Sequence, residues 1–414
     1  MRFDEFYGTI IGAGSFYWPN TLTRGNENAE HEAKEDPNFF YTDAISTEAA
    51  DFIHRHAKEH AGTPFFQYVA YTAPHWPLHA HPEDIAKYKG RFDAGWDELR
   101  EERLSRMIKS GLIHPDWKLT DRDPTPPPWT EAEERAWLAR CMEVYAAQID
   151  RMDQGIGRVL KALEDTGQMD DTLVIFLSDN GACAEDIPED VSPQALVEEL
   201  MIAHAQTRDG RPVRFGNIPE IMPGAEDIYQ SYGVAWANLS NTPFRLNKHW
   251  VHEGGIATPL ILHWPAQITA GGELRHVPGQ LPDIMATILD VTGAAYPQTH
   301  DGNAILPCEG VSLAPSFPED GERTEPMFWE HEGNAAVRVG QWKLVRKYPG
   351  RWELYDMEAD RTELHDLSAD HPERVQEMIG LYQAWAERCG VILREKILEL
   401  MKAQGAAAFW EEEE

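Results

Sequence analysis

Two nearly unbroken apolar runs, Phe65-Phe66-Gln67-Tyr68-Val69-Ala70 and Thr172-Leu173-Val174-Ile175-Phe176-Leu177, constrain the fold more than any other feature. A run that is apolar at almost every position suits a strand covered on both faces, as in a sheet flanked by helices. Between the two, Trp137, Leu138, Cys141, Met142, Tyr145, Ile149, Met152, Ile156, Val159, Leu160 and Leu163 form one apolar helical stripe. Thr130-x-x-Glu133 reads as a capping box at its start and Gly167 as its stop. Strand, helix and strand predict a right-handed crossover unit. Pro259-Leu260-Ile261-Leu262-His263-Trp264-Pro265 reads as a third buried strand. Ile284, Ile288, Leu289 and Val291 are core candidates of the helix that follows, and residues 46–60 show a further helical period.

Outside these elements the chain is punctuated. Residues 1–40, rich in Gly, Asn and aromatics, read as a long ordered loop; Gly12-x-Gly14 lacks the third glycine and leading strand of a dinucleotide fingerprint. Residues 82–128, ending in three prolines, read as an insertion or lid, and the acidic residues 184–230 as a second insertion. A Pro-, Gly- and charge-rich linker over 315–326 divides a large domain, 1–314, from a small one, 327–414. In the small domain the period changes to two, in Ala336-Val337-Arg338-Val339, Trp342-Lys343-Leu344-Val345 and Trp352-Glu353-Leu354-Tyr355. A helix follows over 372–388, then a helical segment over 392–410 and an acidic tail, Glu411 to Glu414.

With 37 Lys and Arg against 70 Asp and Glu the formal charge is −33, which excludes a nucleic-acid partner. A small anionic substrate needs a local basic cluster to override that field. No apolar run reaches membrane-spanning length and no signal peptide is visible, so no membrane partner is expected and the cytoplasm is slightly favoured. The four cysteines, Cys141, Cys183, Cys308 and Cys389, are far apart, and are read as buried free thiols rather than a disulfide framework or zinc site.

Three places carry candidate chemistry. Asp179-Asn180, directly after the second apolar run, offers two adjacent hard oxygen ligands for Ca²⁺, less so for Mg²⁺; the competing reading is a turn. His75 lies just past the first run, where α/β sheets place their chemistry, although a lone histidine there is more often structural. His79 and His81 are near it without a zinc-like set. Lys248, with Arg245 three residues earlier, sits in a shaped loop between Pro243-Phe244 and Glu253-Gly254-Gly255, where it could hold a monoanionic ester; the bland reading is a solvated pair. Asn238-Leu239-Ser240 fits a glycosylation acceptor, which matters only in a secreted protein.

Taken in order, Phe3-Asp4-Glu5-Phe6-Tyr7-Gly8, Ala73-Pro74-His75-Trp76-Pro77-Leu78, Ser178-Asp179-Asn180-Gly181, Lys248 with Glu253-Gly254-Gly255-Ile256, and Trp342-Lys343-Leu344 resemble the type I sulfatases, most closely the bacterial arylsulfatase branch. The resemblance runs from Met1 to about Val391. It implies the alkaline-phosphatase-like α/β fold: a large mixed sheet flanked by helices, plus a small domain with a four-stranded antiparallel sheet and a helix. It also implies hydrolysis of a small-molecule sulfate ester at a Ca²⁺ site. Asp179 and Asn180 would be two metal ligands, His75 would assist departure of the alcohol, and Lys248 would hold a sulfate oxygen, with Arg245 binding substrate. In the family the Phe3-to-Gly8 segment is preceded by a section bearing two further aspartates and a Cys-x-Pro/Ala-Ser-Arg motif, whose Cys becomes formylglycine. None of the four cysteines here is followed by Ser-Arg. On this reading the start is truncated, the chain has no nucleophile, and it is expected to be inactive as it stands. Asn247 and Ala286 depart from the aromatic and the proline usual there, which affects packing more than chemistry. Two alternatives are a phosphodiesterase or phosphonate hydrolase of the same superfamily, and a non-catalytic remnant binding sulfated ligands through Lys248, Arg245 and His75.

Overall fold

A computed structural model describes residues 3–403; the acidic tail and the end of the last helical segment lie outside the described residues. The apolar stripe becomes a long helix because its period is unbroken by proline or β-branched runs. In chain order the main elements are helices α1 (Tyr41–Glu59), α2 (Gly95–Lys109) and α3 (Arg135–Asp165), strand β1 (Val174–Leu177), helix α4 (Gly233–Ser240), strand β2 (Leu260–His263) and helix α5 (Leu281–Thr292). The small domain adds strands β3 (Met327–His331), β4 (Asn334–Val339), β5 (Trp342–Arg346) and β6 (Trp352–Asp356), then helix α6 (Pro372–Cys389).

Helices α1 and α3 form the platform. Ile53 packs on Ala162 and Leu163 at one end. Gly155 allows a close crossing, since a Cβ there would lie 2.1 Å from Ser46 Oγ. Asp43 of α1 is gripped by Arg151 and Arg158 of α3, at 2.9 and 2.6 Å.

Several expectations are corrected. Residues 82–128 contribute to the core instead of forming only a lid: Ile85 and, on α2, Trp96 and Leu99 enter the largest apolar cluster with Trp129, Trp137 and Trp236. Trp96 stands edge-on to Trp129 and Trp236 at 4.8 and 5.3 Å. Charged residues on the outer face of α2 hid this in the sequence. Seating Trp129 also displaces the capping box. A 3-10 turn forms over Trp129–Glu131, and α3 starts at Arg135 after Glu134 takes a left-handed φ of 49°. The second insertion likewise folds around its own core of Ile187, Leu196, Ile202, Phe215 and Tyr229. Residues 3–40 are more regular than a loop, with an antiparallel ribbon of Tyr7–Thr9, Leu22–Arg24 and Glu27–Asn28 ahead of the helix Glu30–Glu35.

The crossover unit is also corrected. Residues 65–70 are extended but, among the described residues, are not paired into a sheet, and Phe66 and Tyr68 are exposed. A ladder requires a neighbouring strand, which an apolar run by itself does not supply. β1 instead pairs antiparallel with β2, Phe176 opposite Ile261. β1 is half-buried and β2 carries exposed Leu260 and Ile261, so neither is covered on both faces. In α5 the buried positions are Asp283 and Thr287, with Ile284, Ile288, Leu289 and Val291 only partly covered. Asp283 caps the helix and accepts from Val311 N and Arg323, so the linker segment is fastened to the large domain.

The small domain follows its period of two. Ala335, Val337, Leu344 and Leu354 face Val375, Met378 and Tyr382 of α6. The alternate residues Ala336, Val345 and Tyr355 turn to the opposite face and pack on Val251 of the large domain.

His79 is structural. Fully buried, its Nε2 lies 2.7 Å from Ile228 O and its Nδ1 3.4 Å from Phe16 N. Burial lowers its pKa from 6.5 to about 4. A depressed folded pKa gives stability that is complete above 6.5 and lost as pH falls towards 4. Urea unfolding between these pH values is expected to show a loss of about 3 kcal/mol from this group, a slope that His79→Gln should flatten.

Candidate active site

His75, Lys248 and Asp179 come from three distant parts of the chain and meet at one end of the α1–α3 platform. The His75 turn is fixed from α3: Gln148 Nε2 donates to His75 O at 3.3 Å and to Pro77 O at 3.1 Å. The His75 Nδ1–H donates to Trp76 O at 2.8 Å, which leaves Nε2 bare. Lys248 Nζ stands 3.5 Å from that Nε2. Burial, seconded by the Lys248 charge, lowers the His75 pKa below its ordinary value, so the ring is neutral near pH 7.

Glu185 organises both partners. It accepts from Lys248 Nζ at 3.0 Å and from Trp76 Nε1 at 2.7 Å. Burial opposes its ionisation, but Lys248 and these hydrogen bonds hold its carboxyl below the usual range. Lys248 shows the converse: burial opposes its charge, yet Cys183, Glu185 and Asp179 keep its pKa raised. Cys183 joins His75 and Glu185 in a cluster whose ligand atoms lie within 4.8 Å of one another, and burial pushes its thiol up to about 11. Of the four cysteines only Cys141 is fully buried; Cys389 is exposed. Glu185, Cys183 and the indole of Trp76 escaped sequence reading. Glu185 stood in the acidic stretch read as a second insertion, and its place six residues after Asp179 was the one available signal.

Asp179 and Asn180 leave β1 in a turn welded to the Lys248 loop largely through backbone groups. Gly181 N donates to Gly255 O at 2.9 Å, Ala182 N to Asn241 Oδ1 at 2.9 Å, and Lys248 N to Ala182 O at 3.0 Å. Glycine is required at three points: a Cβ on Gly181 would lie 1.8 Å from Gly254 O, one on Gly254 2.1 Å from Arg245 O, and one on Gly255 1.9 Å from Trp250 O. Gly181→Ala is therefore expected to cost about 1–3 kcal/mol by overpacking, measured as the urea midpoint, and to displace Asp179 from Lys248. Asp179 is exposed, and neither it nor Asn180 has a side-chain hydrogen bond among the described residues. These free oxygens suit a hard cation, but two fall short of the six to eight that Ca²⁺ takes. Among the described residues no cluster of three His, Cys, Asp or Glu ligand atoms includes Asp179.

Arg245 is turned elsewhere. Its guanidinium donates to Glu353 at 2.8 Å and to Tyr355 Oη at 2.9 Å, both on β6, making it a strut between the domains. A second strut lies behind the glycines. Lys343 of β5, wholly buried, holds Glu253 at 2.6 Å and Glu363 at 2.8 Å, and Arg361 also pairs with Glu253. Burial works against Glu253, yet Arg361 and Lys343 outweigh it and bring its pKa down to about 2.

The sulfatase family model matches residues 2–294, and a model described as N-sulphoglucosamine sulphohydrolase, C-terminal, matches residues 244–382. The chain belongs to the sulfatase family. An uncharacterized sulfatase of Schizosaccharomyces pombe is 30% identical over 347 residues, which is 80% of this chain and 57% of that protein. The arylsulfatase of Klebsiella aerogenes is 29% identical over 321 residues, 75% of this chain and 64% of that enzyme. This sulfatase-family chain thus spans about three fifths of the length of these relatives. Among solved structures, one crystallised with k-i-k-neocarrahexaose superposes with a TM-score of 0.61 at 20% identity, covering 98% of this chain and 72% of that one. Another, solved with D-glucosamine-2-N,6-O-disulfate, gives 0.56 at 16% identity, covering 93% and 76%. These likenesses establish the α/β sulfatase fold with its four-stranded small-domain sheet.

Proposed function

We propose that this sulfatase-family chain serves the hydrolysis of small sulfate monoesters of the arylsulfate type, and that its residues supply the leaving-group half of the site. The observation that carries the reading is the Lys248–His75 contact of 3.5 Å, with Glu185 fixing the lysine from the other side. Lys248 offers a positive charge to a sulfate oxygen inside an otherwise acidic protein. Cleavage of the S–O bond leaves an alkoxide or phenoxide that needs a proton. His75 Nε2 is bare in this arrangement, so it must first take up a proton from solvent, while Lys248 keeps its own and stays charged against the ester. Asp179 and Asn180 would hold a Ca²⁺ ion through two of its oxygens, and the ion would offset charge on the sulfate. Cys-x-Pro/Ala-Ser-Arg does not occur in these 414 residues, so no attacking group is assigned among them.

The test compares the protein on 4-nitrophenyl sulfate, an alkyl sulfate and 4-nitrophenyl phosphate. Turnover confined to the sulfates supports the reading. Preferential turnover of the phosphate moves the chain to phosphoryl transfer, and saturable sulfate-ester binding without turnover makes it a binding protein. Proton delivery has its own signature: His75→Ala should cost about 10²–10⁴-fold on the alkyl sulfate and much less on the nitrophenyl ester, whose phenoxide departs unaided. Equal losses on both would sink the role given to His75.

A further inference from the structure

We propose that His249, His331 and Glu332 form a binding site for a divalent transition-metal ion of the Zn²⁺ class, at the seam between the Lys248 loop and the β3–β4 turn. One nitrogen from each histidine and one carboxylate oxygen lie within 4.8 Å of one another, separate from the His75 cluster. The two rings are edge-on, with centroids 5.1 Å apart. Two histidines and one carboxylate are a common donor set for zinc with open positions, and imidazole disfavours Ca²⁺ or Mg²⁺.

His249 has a φ of 96° and Glu332 a φ of 53°, both in the left-handed region that non-glycine residues avoid. Glu332 and Gly333 are the central pair of the β3–β4 hairpin turn, which requires positive φ at both, so only the φ of His249 is left without a turn to explain it.

A buried partner orients the ring. Asn334, 1% exposed, lies with Nδ2 3.4 Å from both His249 Nε2 and His249 O, while its Oδ1 accepts from Tyr348 N at 3.0 Å. That last contact fixes which end of the amide is the donor. Nε2 therefore accepts, and the proton sits on Nδ1, facing Glu332 at 3.7 Å. A metal ion on Nδ1 needs that proton moved to Nε2, so the Asn334 amide has to swing off Nε2, and its donation there competes with the ion. Burial also lowers the His249 pKa, which favours the neutral ring a metal requires. The competing cation is Arg394, 3.2 Å from Glu332.

The test is Co²⁺ and Zn²⁺ titration of the chelator-treated protein, read by calorimetry and by the visible bands of bound Co²⁺, independently of ester turnover. One equivalent is expected at this site. His331→Ala and Glu332→Gln should each weaken it about 10- to 100-fold or more, whereas Asn334→Ala should tighten it by releasing the Nδ1–H tautomer. Arg394→Gln should tighten it by freeing Glu332, a gain that a misfolded variant would not show. Binding unchanged in both His331→Ala and Glu332→Gln, or absent from the parent, overturns the proposal.

Discussion

Lys248→Ala, made in protein that also carries the attacking group, is expected to lower kcat/KM for sulfate monoesters by about 10²–10³-fold, with circular dichroism and unfolding midpoint little changed. The ammonium is preorganised: Glu185 holds it at 3.0 Å and its own backbone N–H is tied to Ala182 O. No reorganisation is needed when charge develops on the ester oxygens, and half-burial strengthens each interaction made there. Lys248→Arg keeps the charge but brings a planar fork where a point charge fits, and should recover only part of the loss. Glu185→Gln separates positioning from charge. Lys248 would remain, but its anchor would weaken, so kcat should fall more than affinity. A Lys248→Ala enzyme with near-parental turnover would remove the centre of the proposed mechanism.

The largest stability effect is expected at Lys343. Its ammonium is wholly buried between Glu253 and Glu363, both nearly inaccessible, with Arg361 completing the group. Lys343→Ala strands the Glu363 carboxylate and leaves Glu253 to Arg361 alone, in a space that solvent cannot enter, a type of loss worth about 3–5 kcal/mol. The sign with pH follows from Glu253. Its folded pKa of about 2 lies below 4.5, so its contribution is present above 4.5 and fades as pH falls towards 2. Denaturant unfolding should therefore show the full deficit at neutral pH and a smaller one below pH 4.5, where the contribution of Glu253 fades in the parent. A deficit independent of pH would mean that lost packing, not the ion group, is the cause.

How much of this was legible depended on whether the signal was local. The α3 stripe, the Asp179 turn after β1 and the alternation in β4 to β6 all appear in the sequence because one-dimensional periodicity sets them. His75, Asp179 and Lys248 were readable as strand-end and loop residues, but Glu185 was not, since it belongs with them only in three dimensions. Trp96 and Trp129 misled for a related reason: charges and prolines around them are surface features, while the rings turn inward. The unpaired extended segment at 65–70 shows the limit most directly, because an apolar run records an affinity for neighbours without naming them. Arg245 was drawn to a ligand by its charge, whereas β6 supplied the carboxylate it meets.

The meeting of Gly181, Gly254 and Gly255 bears on how such a site can change over generations. Main chain touches main chain there, with clearances that admit no Cβ. Side-chain exchange, the ordinary material of divergence, has nothing to act on at those positions. The spacing between Asp179 and Lys248 is thereby inherited as a unit, and new preferences for one ester over another have to be written in the surrounding side chains.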